Sequence, residues 1–123
     1  NNPRKAVKQM AIVKNKISSG RNVLIFPEGT RSKDGSILPF KRGPFLIAAE
    51  TKSDIIPCYI DGAQRMIQKG SFFIRPGKIK ISFKPSIPVV PASMDKKSLK
   101  EYADKLSEKT RSQIIEMKEL VSA

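Results

Sequence analysis

The spacing of apolar positions predicts two long amphipathic helices, one near each end of the chain. Over residues 4–19, apolar side chains recur at steps of three and four, and Gly20 is placed to end the helix. A second stripe of this period runs over residues 93–121. The residues of this stripe are Leu99, Tyr102, Ala103, Leu106, Thr110, Ile114, Met117 and Val121. Mixed charges elsewhere on this helix indicate a solvated face with ordinary i,i+4 pairs.

Shorter apolar runs between these helices predict strands. Residues 22–26 are bounded by Gly20 and Pro27 and resemble a buried strand. Residues 54–60 predict another strand, in which Pro57 argues against a central, regularly paired position. Residues 71–74 and 78–83 predict two more, the last half-buried because its apolar residues alternate with polar ones. These alternating apolar residues are Ile79, Ile81 and Phe83.

The remaining pattern completes an α/β fold with a mixed sheet flanked by helices. An apolar run from Gly43 to about Lys52 predicts a short helix, and residues 63–70 predict a short helix or an irregular segment. Ser98 with Glu101 resembles a capping box for the last helix. Residues 1–123 are expected to form part of one domain, in which residues 20–90 hold the sheet and the functional loops.

The loop after the first predicted strand concentrates polar chemistry. Residues 26–32 read Phe-Pro-Glu-Gly-Thr-Arg-Ser, so a strand end delivers a carboxylate, hydroxyls and a guanidinium to one loop. Arg31 has a planar fork suited to two phosphate oxygens. Lys41 and Arg42 precede the predicted helix at Gly43, whose free N–H groups also favour an anion, so we expect them to face Arg31. On residue chemistry alone, an ordinary loop ion pair of Glu28 with Arg31 and a solvated edge at Lys41 and Arg42 explain the pattern equally well.

The charge balance narrows the choice of partners. Lys and Arg total 24 against 11 Asp and Glu, a net charge of +13, which favours nucleic acid, an anionic lipid surface or a phosphorylated substrate. The single cysteine, Cys58, lies in an apolar run and is expected in the core. It excludes an intrachain disulfide and fits a reducing compartment. The chain has no histidine and no Cys–His metal spacing.

Four sequence blocks in order resemble the glycerophospholipid acyltransferase family, including the 1-acyl-glycerol-3-phosphate acyltransferases. The first two are Phe-Pro-Glu-Gly-Thr-Arg at 26–31 and Phe-Lys-Arg-Gly at 40–43. An Ile-Pro segment at 55–60 and a closing strand with its proline loop at 75–88 follow. The resemblance implies transfer of a fatty acyl group, from acyl-CoA or acyl carrier protein, to the free hydroxyl of a lysophosphatidic acid-type acceptor in phospholipid synthesis.

The resemblance also assigns roles. It implies that Arg31, Lys41, Gly29 and Thr30 bind the acceptor phosphate, and that Glu28 orients Arg31 or a hydroxyl of the acceptor. The family's catalytic His-x4-Asp block lies upstream of these blocks and has no counterpart here, since the chain has no histidine. The chain is therefore expected to be the C-terminal portion of an acyltransferase domain, inactive alone. No metal or other cofactor is expected, because the thioester donor is already activated.

The expected setting is the cytoplasmic face of a membrane, reached peripherally or through a segment outside this sequence. Expected partners are the acceptor, the acyl donor, an anionic membrane surface and the N-terminal portion of the same enzyme.

Two other functions remain open at this point. One is a basic nucleic-acid-binding module, supported by the net charge of +13 but not by its aromatic residues, which sit in apolar runs. The other is a peripheral membrane-binding piece without catalysis.

Overall fold

The computed structural model describes residues 3–30, 32, 34–66 and 76–122. Four helices and two strands follow one another in these ranges. They are α1 (Pro3–Ser18), α2 (Gly43–Thr51), β1 (Cys58–Asp61), α3 (Ala63–Met66), β2 (Lys80–Phe83) and α4 (Lys96–Ser122). The helices lie close to the positions that the apolar spacing predicts. The predicted strand at 71–74 lies outside the described residues.

The core forms where α2 packs against α4. Ala49 of α2 and Ala103 of α4 are both fully buried, and their small side chains let the two helices approach closely. Around them lie the other buried residues of this cluster, which are Phe45, Ile87, Val89, Leu99 and Leu106. The apolar stripe predicted for α4 thus supplies one side of the core. An ion pair of 3.3 Å between Lys14 and Glu50 joins α1 to α2.

The sheet of the described residues has two antiparallel strands, with Cys58 opposite Phe83 and Asp61 opposite Lys80. Upstream of β1, Ile55 and Ile87 form an isolated bridge through backbone hydrogen bonds of 3.1 and 2.6 Å. Pro57 lies between this bridge and β1, fully buried. Because proline has no N–H to donate, it interrupts the ladder. The predicted strand at 54–60 is therefore a bridge followed by a shorter strand.

The strand predicted at 22–26 does not form, whereas the one predicted at 78–83 forms as β2 but is more exposed than predicted. Residues 21–26 form no strand, and Leu24 and Phe26 are 70% and 68% exposed. An extended apolar run becomes a strand only when a neighbouring backbone pairs with it, and no described segment does so. In the last strand, Phe83 is 67% exposed and Ile79 and Ile81 each 52%. Ile81 and Phe83 alternate along β2 as predicted, but no described layer covers their side chains.

Helix ends follow local backbone chemistry. Gly20 ends α1 with a φ of 91°. The Gly20 N–H donates to the Ile17 carbonyl and the Arg21 N–H to the Lys16 carbonyl, which makes a Schellman motif. The start of α4 differs from the prediction, because its N-cap is Asp95 rather than Ser98. The Asp95 carboxylate accepts the Ser98 N–H at 3.1 Å, and hydrogen bonds from Ser93 and Ser98 lower the pKa of Asp95 to about 2.

No helix in the described ranges is both long and apolar enough to cross a bilayer.

Candidate functional site

The two loops that carry the predicted site are joined through their backbones. The Gly29 N–H donates to the Phe26 carbonyl at 3.3 Å, which closes a tight turn around Pro27 and Glu28. The Lys41 N–H donates to the Pro27 carbonyl at 2.9 Å. The Phe-Pro-Glu-Gly turn and the Phe-Lys-Arg-Gly segment therefore lie side by side, although they are separate in sequence.

The Lys41 side chain lies over Gly29. A Cβ added at Gly29 would be 2.6 Å from Lys41 Cε and 3.5 Å from Nζ, and the φ of Gly29 is +77°. The positive φ favours glycine, since an L side chain would be strained there, and an added side chain would also force the flexible end of Lys41 to move aside. The turn thus presents open backbone beside an ammonium group, while Thr30 next to it is exposed. Arg31 lies outside the described residues, so phosphate binding by Arg31, Lys41, Gly29 and Thr30 stays a prediction.

Glu28 ties the turn to the segment that precedes Lys41. Its Oε2 accepts the backbone N–H of Leu38 at 2.7 Å, in a partly buried position. A carboxylate that accepts a backbone N–H fixes a loop more firmly than a neutral acceptor would. The described contact of Glu28 is therefore structural, and its predicted role in orienting Arg31 or an acceptor hydroxyl stays a prediction.

Arg42 is bound by α4 and does not extend over the turn as Lys41 does, and the expectation that both cations face Arg31 stays a prediction because Arg31 lies outside the described residues. The Arg42 guanidinium forms two hydrogen bonds with the Asp104 carboxylate of α4, at 2.8 and 3.0 Å. These bonds lower the pKa of Asp104. Both side chains are about half exposed, at 51% and 50%. Their contact joins the start of α2 to α4 across 62 positions of sequence, a separation that no helical i,i+4 pattern can reveal.

Arg111 makes a second connection from α4 to the site. Its Nη2 donates to the Ile37 carbonyl at 2.7 Å and its Nε to the Leu38 carbonyl at 3.2 Å, in partly buried positions. Both Arg111 and Asp104 belong to the mixed charges of α4 that indicate a solvated helix face in the sequence. One available signal was that Arg111 adjoins Thr110 on the apolar stripe, at the edge of the buried face.

A cavity of about 1200 Å³ lies behind the turn. Residues 23–27 and 55–60 supply most of its apolar lining, and Glu28 and Ser32 add polar atoms. Gly29, Thr30 and Lys41 are not among the described lining residues. Cys58 also lines the cavity, and burial raises the pKa of its thiol, so the neutral thiol is favoured there. No cluster of potential metal ligands occurs in the part of the chain that the structure describes.

The residues that build the paired loops match known acyltransferases. The family model described as Acyltransferase matches residues 1–61. The 1-acyl-sn-glycerol-3-phosphate acyltransferase of Limnanthes douglasii is 37% identical over 75 residues, which are 61% of this chain and 27% of that protein. This chain belongs to the glycerophospholipid acyltransferase family. Within the family, the 1-acyl-sn-glycerol-3-phosphate acyltransferase alpha of Mus musculus is 39% identical over 66 residues, 53% of this chain and 23% of that protein.

The fold agrees with this family membership. The crystal structure of the 1-acyl-sn-glycerophosphate (LPA) acyltransferase PlsC from Thermotoga maritima matches 93% of this chain with a TM-score of 0.70 and 28% identity. That match covers 46% of the PlsC chain. The chain spans about a quarter of the length of the curated acyltransferases described above.

Proposed function

We propose that this chain is part of an enzyme that transfers a fatty acyl group to the free hydroxyl of a lysophosphatidic acid-type acceptor, and that it carries the acceptor phosphate site. The observation that carries the proposal is the hydrogen-bonded pairing of the two loops, with Lys41 over Gly29. The relatives are 1-acyl-sn-glycerol-3-phosphate acyltransferases, whose acceptor bears a phosphate. The net charge of +13 is favourable for such an anionic substrate.

The contribution of this chain is positioning. Arg31 is the main phosphate ligand in this proposal, because its planar guanidinium matches two phosphate oxygens. Lys41 adds a second positive charge, and Gly29, which has no side chain of its own, lets a phosphate oxygen approach the turn backbone beside the lysine in this proposal. Thr30 supplies a hydroxyl. An acceptor held by its phosphate presents its hydroxyl in a fixed place, which lowers the entropic cost of reaching the transition state.

The donor is proposed to be a thioester of coenzyme A or of acyl carrier protein. A thioester carbonyl is already reactive toward a hydroxyl, so the proposed reaction needs a general base and no metal. The base is not a histidine of this chain, which contains none. The His-x4-Asp block of the family would supply it from another part of the enzyme, and this chain alone is proposed to be inactive.

The test is an acyl-transfer assay on the intact enzyme with matched acceptors. Lysophosphatidic acid and the corresponding monoacylglycerol, which differ only by the phosphate, are each supplied with a radiolabelled acyl thioester. We expect kcat/KM to be lower by about 10² or more for the monoacylglycerol, because a charge-assisted phosphate contact is lost. Equal values for the two acceptors would contradict a phosphate site. Parallel reactions with acyl-CoA and acyl carrier protein thioesters identify the donor.

We also propose peripheral contact of this chain with the cytoplasmic face of an anionic membrane. The substrate is an amphiphile, and exposed basic residues line both long helices, including Lys8 and Lys16 of α1 and Lys97 and Lys105 of α4. Each basic residue near an anionic surface contributes about 1 kcal/mol. Co-sedimentation with phosphatidylserine vesicles, but not with phosphatidylcholine vesicles, would support this contact. Equal sedimentation with both would oppose it, and a salt-dependent gel shift with RNA or DNA in place of vesicle binding would favour a nucleic-acid function.

A further inference from the structure

We propose that Arg111 of α4 is a positioning residue for the acceptor site, acting through Leu38 and Glu28. This inference rests on the proposed function. Arg111 lies outside the residues that the acyltransferase family model matches, which end at 61. It nevertheless contacts the segment that leads to Lys41, through hydrogen bonds to the carbonyls of Ile37 and Leu38.

Arg111 holds two neighbouring peptide groups of the segment before Lys41. Its guanidinium donates to two successive carbonyl oxygens, at 2.7 Å for Ile37 and 3.2 Å for Leu38. Two bonds from one planar group fix both the position and the orientation of that stretch of backbone, whereas one bond would leave it free to rotate. The contacts are partly buried, so water competes with them less than at a fully exposed site.

Leu38 carries the restraint to the turn. Its carbonyl accepts from Arg111, and its N–H donates to Glu28 Oε2 at 2.7 Å. Glu28 directly precedes Gly29, over which the Lys41 side chain lies. The path from Arg111 to Gly29 therefore consists of two hydrogen bonds, the backbone of Leu38 and the side chain and following peptide bond of Glu28. A shift of Leu38 changes where the carboxylate of Glu28 is held, and with it the conformation of the turn.

Helix α4 holds both ends of the segment that carries Lys41. Arg111 holds it at 37–38, and Asp104 holds Arg42 at the other end. Lys41 lies between these two anchors, and its own N–H donates to Pro27. A cation held on a restrained backbone retains less freedom to lose when it binds an anion, and preorganisation of this kind improves binding. The role of α4 is thus to hold the phosphate-binding loops in register.

The test compares three variants of the intact enzyme. Arg111→Met removes the guanidinium and keeps an unbranched apolar stem, Arg111→Lys keeps the charge but not the fork, and Lys109→Met removes a charge from an exposed neighbour on α4. For Arg111→Met we expect the KM for lysophosphatidic acid to rise about tenfold with a smaller change in kcat, since a misplaced binding group weakens substrate positioning. Arg111→Lys should show a smaller rise, and Lys109→Met should behave as wild type.

A double-mutant cycle separates positioning from general destabilisation. Because Arg111 and Glu28 act on the same residue, the KM effects of Arg111→Met and Glu28→Gln should be non-additive, the double variant being little worse than the more impaired single one. Thermal denaturation of each variant is measured in parallel. If Arg111→Met has a lower melting temperature but the same KM as the Lys109→Met control, the positioning role is overturned. If Arg111→Met does not fold, a wild-type KM in Arg111→Lys overturns it equally.

The same assays distinguish this proposal from the proposed function. Activity of the wild-type enzyme toward lysophosphatidic acid, together with unchanged KM in the Arg111 variants, would reject only the role of Arg111. A wild-type enzyme that does not acylate lysophosphatidic acid would reject both.

Discussion

Lys41 extends over Gly29 so closely that a methyl group added to the glycine would come within 2.6 Å of the lysine Cε. The backbones of the same two loops are joined by the hydrogen bond from the Lys41 N–H to the Pro27 carbonyl, 2.9 Å long. The lysine and the glycine therefore form one surface, in which a positive charge lies beside accessible backbone. Changes to either residue should act on the same step, which is binding of the acceptor.

Gly29→Ala should weaken acceptor binding. The substitution places a side chain at a φ of +77° and forces Lys41 aside, so we expect a several-fold higher KM for lysophosphatidic acid and a modest loss of stability. Gly20→Ala is the matched control, because Gly20 has a φ of +91° but nothing within 4 Å of the added Cβ. It should lose comparable stability with an unchanged KM. Equal KM values for the two variants would show that Lys41 need not lie over Gly29.

Arg31→Ala in the intact enzyme should lower kcat/KM for lysophosphatidic acid by about 10² or more, because loss of a charge-assisted phosphate contact costs several kcal/mol. The penalty should be much smaller with monoacylglycerol, which offers no phosphate. Arg21→Ala, which removes an exposed arginine before the turn, serves as the control. An unchanged kcat/KM in Arg31→Ala would remove Arg31 from the site.

The Arg42–Asp104 pair should contribute to stability in a salt-dependent way. We expect Arg42→Met and Asp104→Asn each to lower the melting temperature slightly, since both side chains are about half exposed and solvent screens the pair. The double variant should be no less stable than the more affected single one. This coupling should diminish as salt is added. Additive losses at low salt would show that the pair contributes nothing in solution.

The N-cap of α4 should make stability depend on pH in acid. The pKa of Asp95 falls from 3.8 to about 2 on folding, so its ionised form stabilises the folded chain at pH values above 3.8. That contribution is lost as the pH falls through about 2. Melting temperatures of wild type and Asp95→Asn, measured from neutral pH downwards, should differ most above this window and converge at its lower end. A gap that stays constant with pH would contradict the lowered pKa.

Local patterns predicted much of the helical structure. The three- and four-residue spacing located α1 and α4, and the same spacing named the buried side of α4, including Leu99, Ala103 and Leu106. These features depend on neighbours within a few residues, because helical periodicity and end motifs such as that at Gly20 are local properties. The cap of α4 was missed because Asp95 and Ser98 are both suitable residues, and only the path of the backbone selects between them.

The two signature loops were also recognisable in sequence, as a polar turn after an apolar run and a basic pair before a helix. What the tertiary structure decided is which of the basic residues remain near the turn. Lys41 lies over Gly29, whereas Arg42 is engaged by Asp104 and Arg111 holds the carbonyls of Ile37 and Leu38.

The sequence by itself determined the helices, the turns and the order of the motifs, because each is set by side chains a few positions apart. The partners of the strands and of the charged residues were decided only when the chain folded. Residues 22–26 have the composition of a strand but pair with no described segment, and Arg111 reaches carbonyls 73 and 74 positions away. Strand pairing and ion contacts depend on which distant segments the packing of α2 against α4 brings together. The periodicity of one segment does not contain that information, because it reflects only neighbours along the chain.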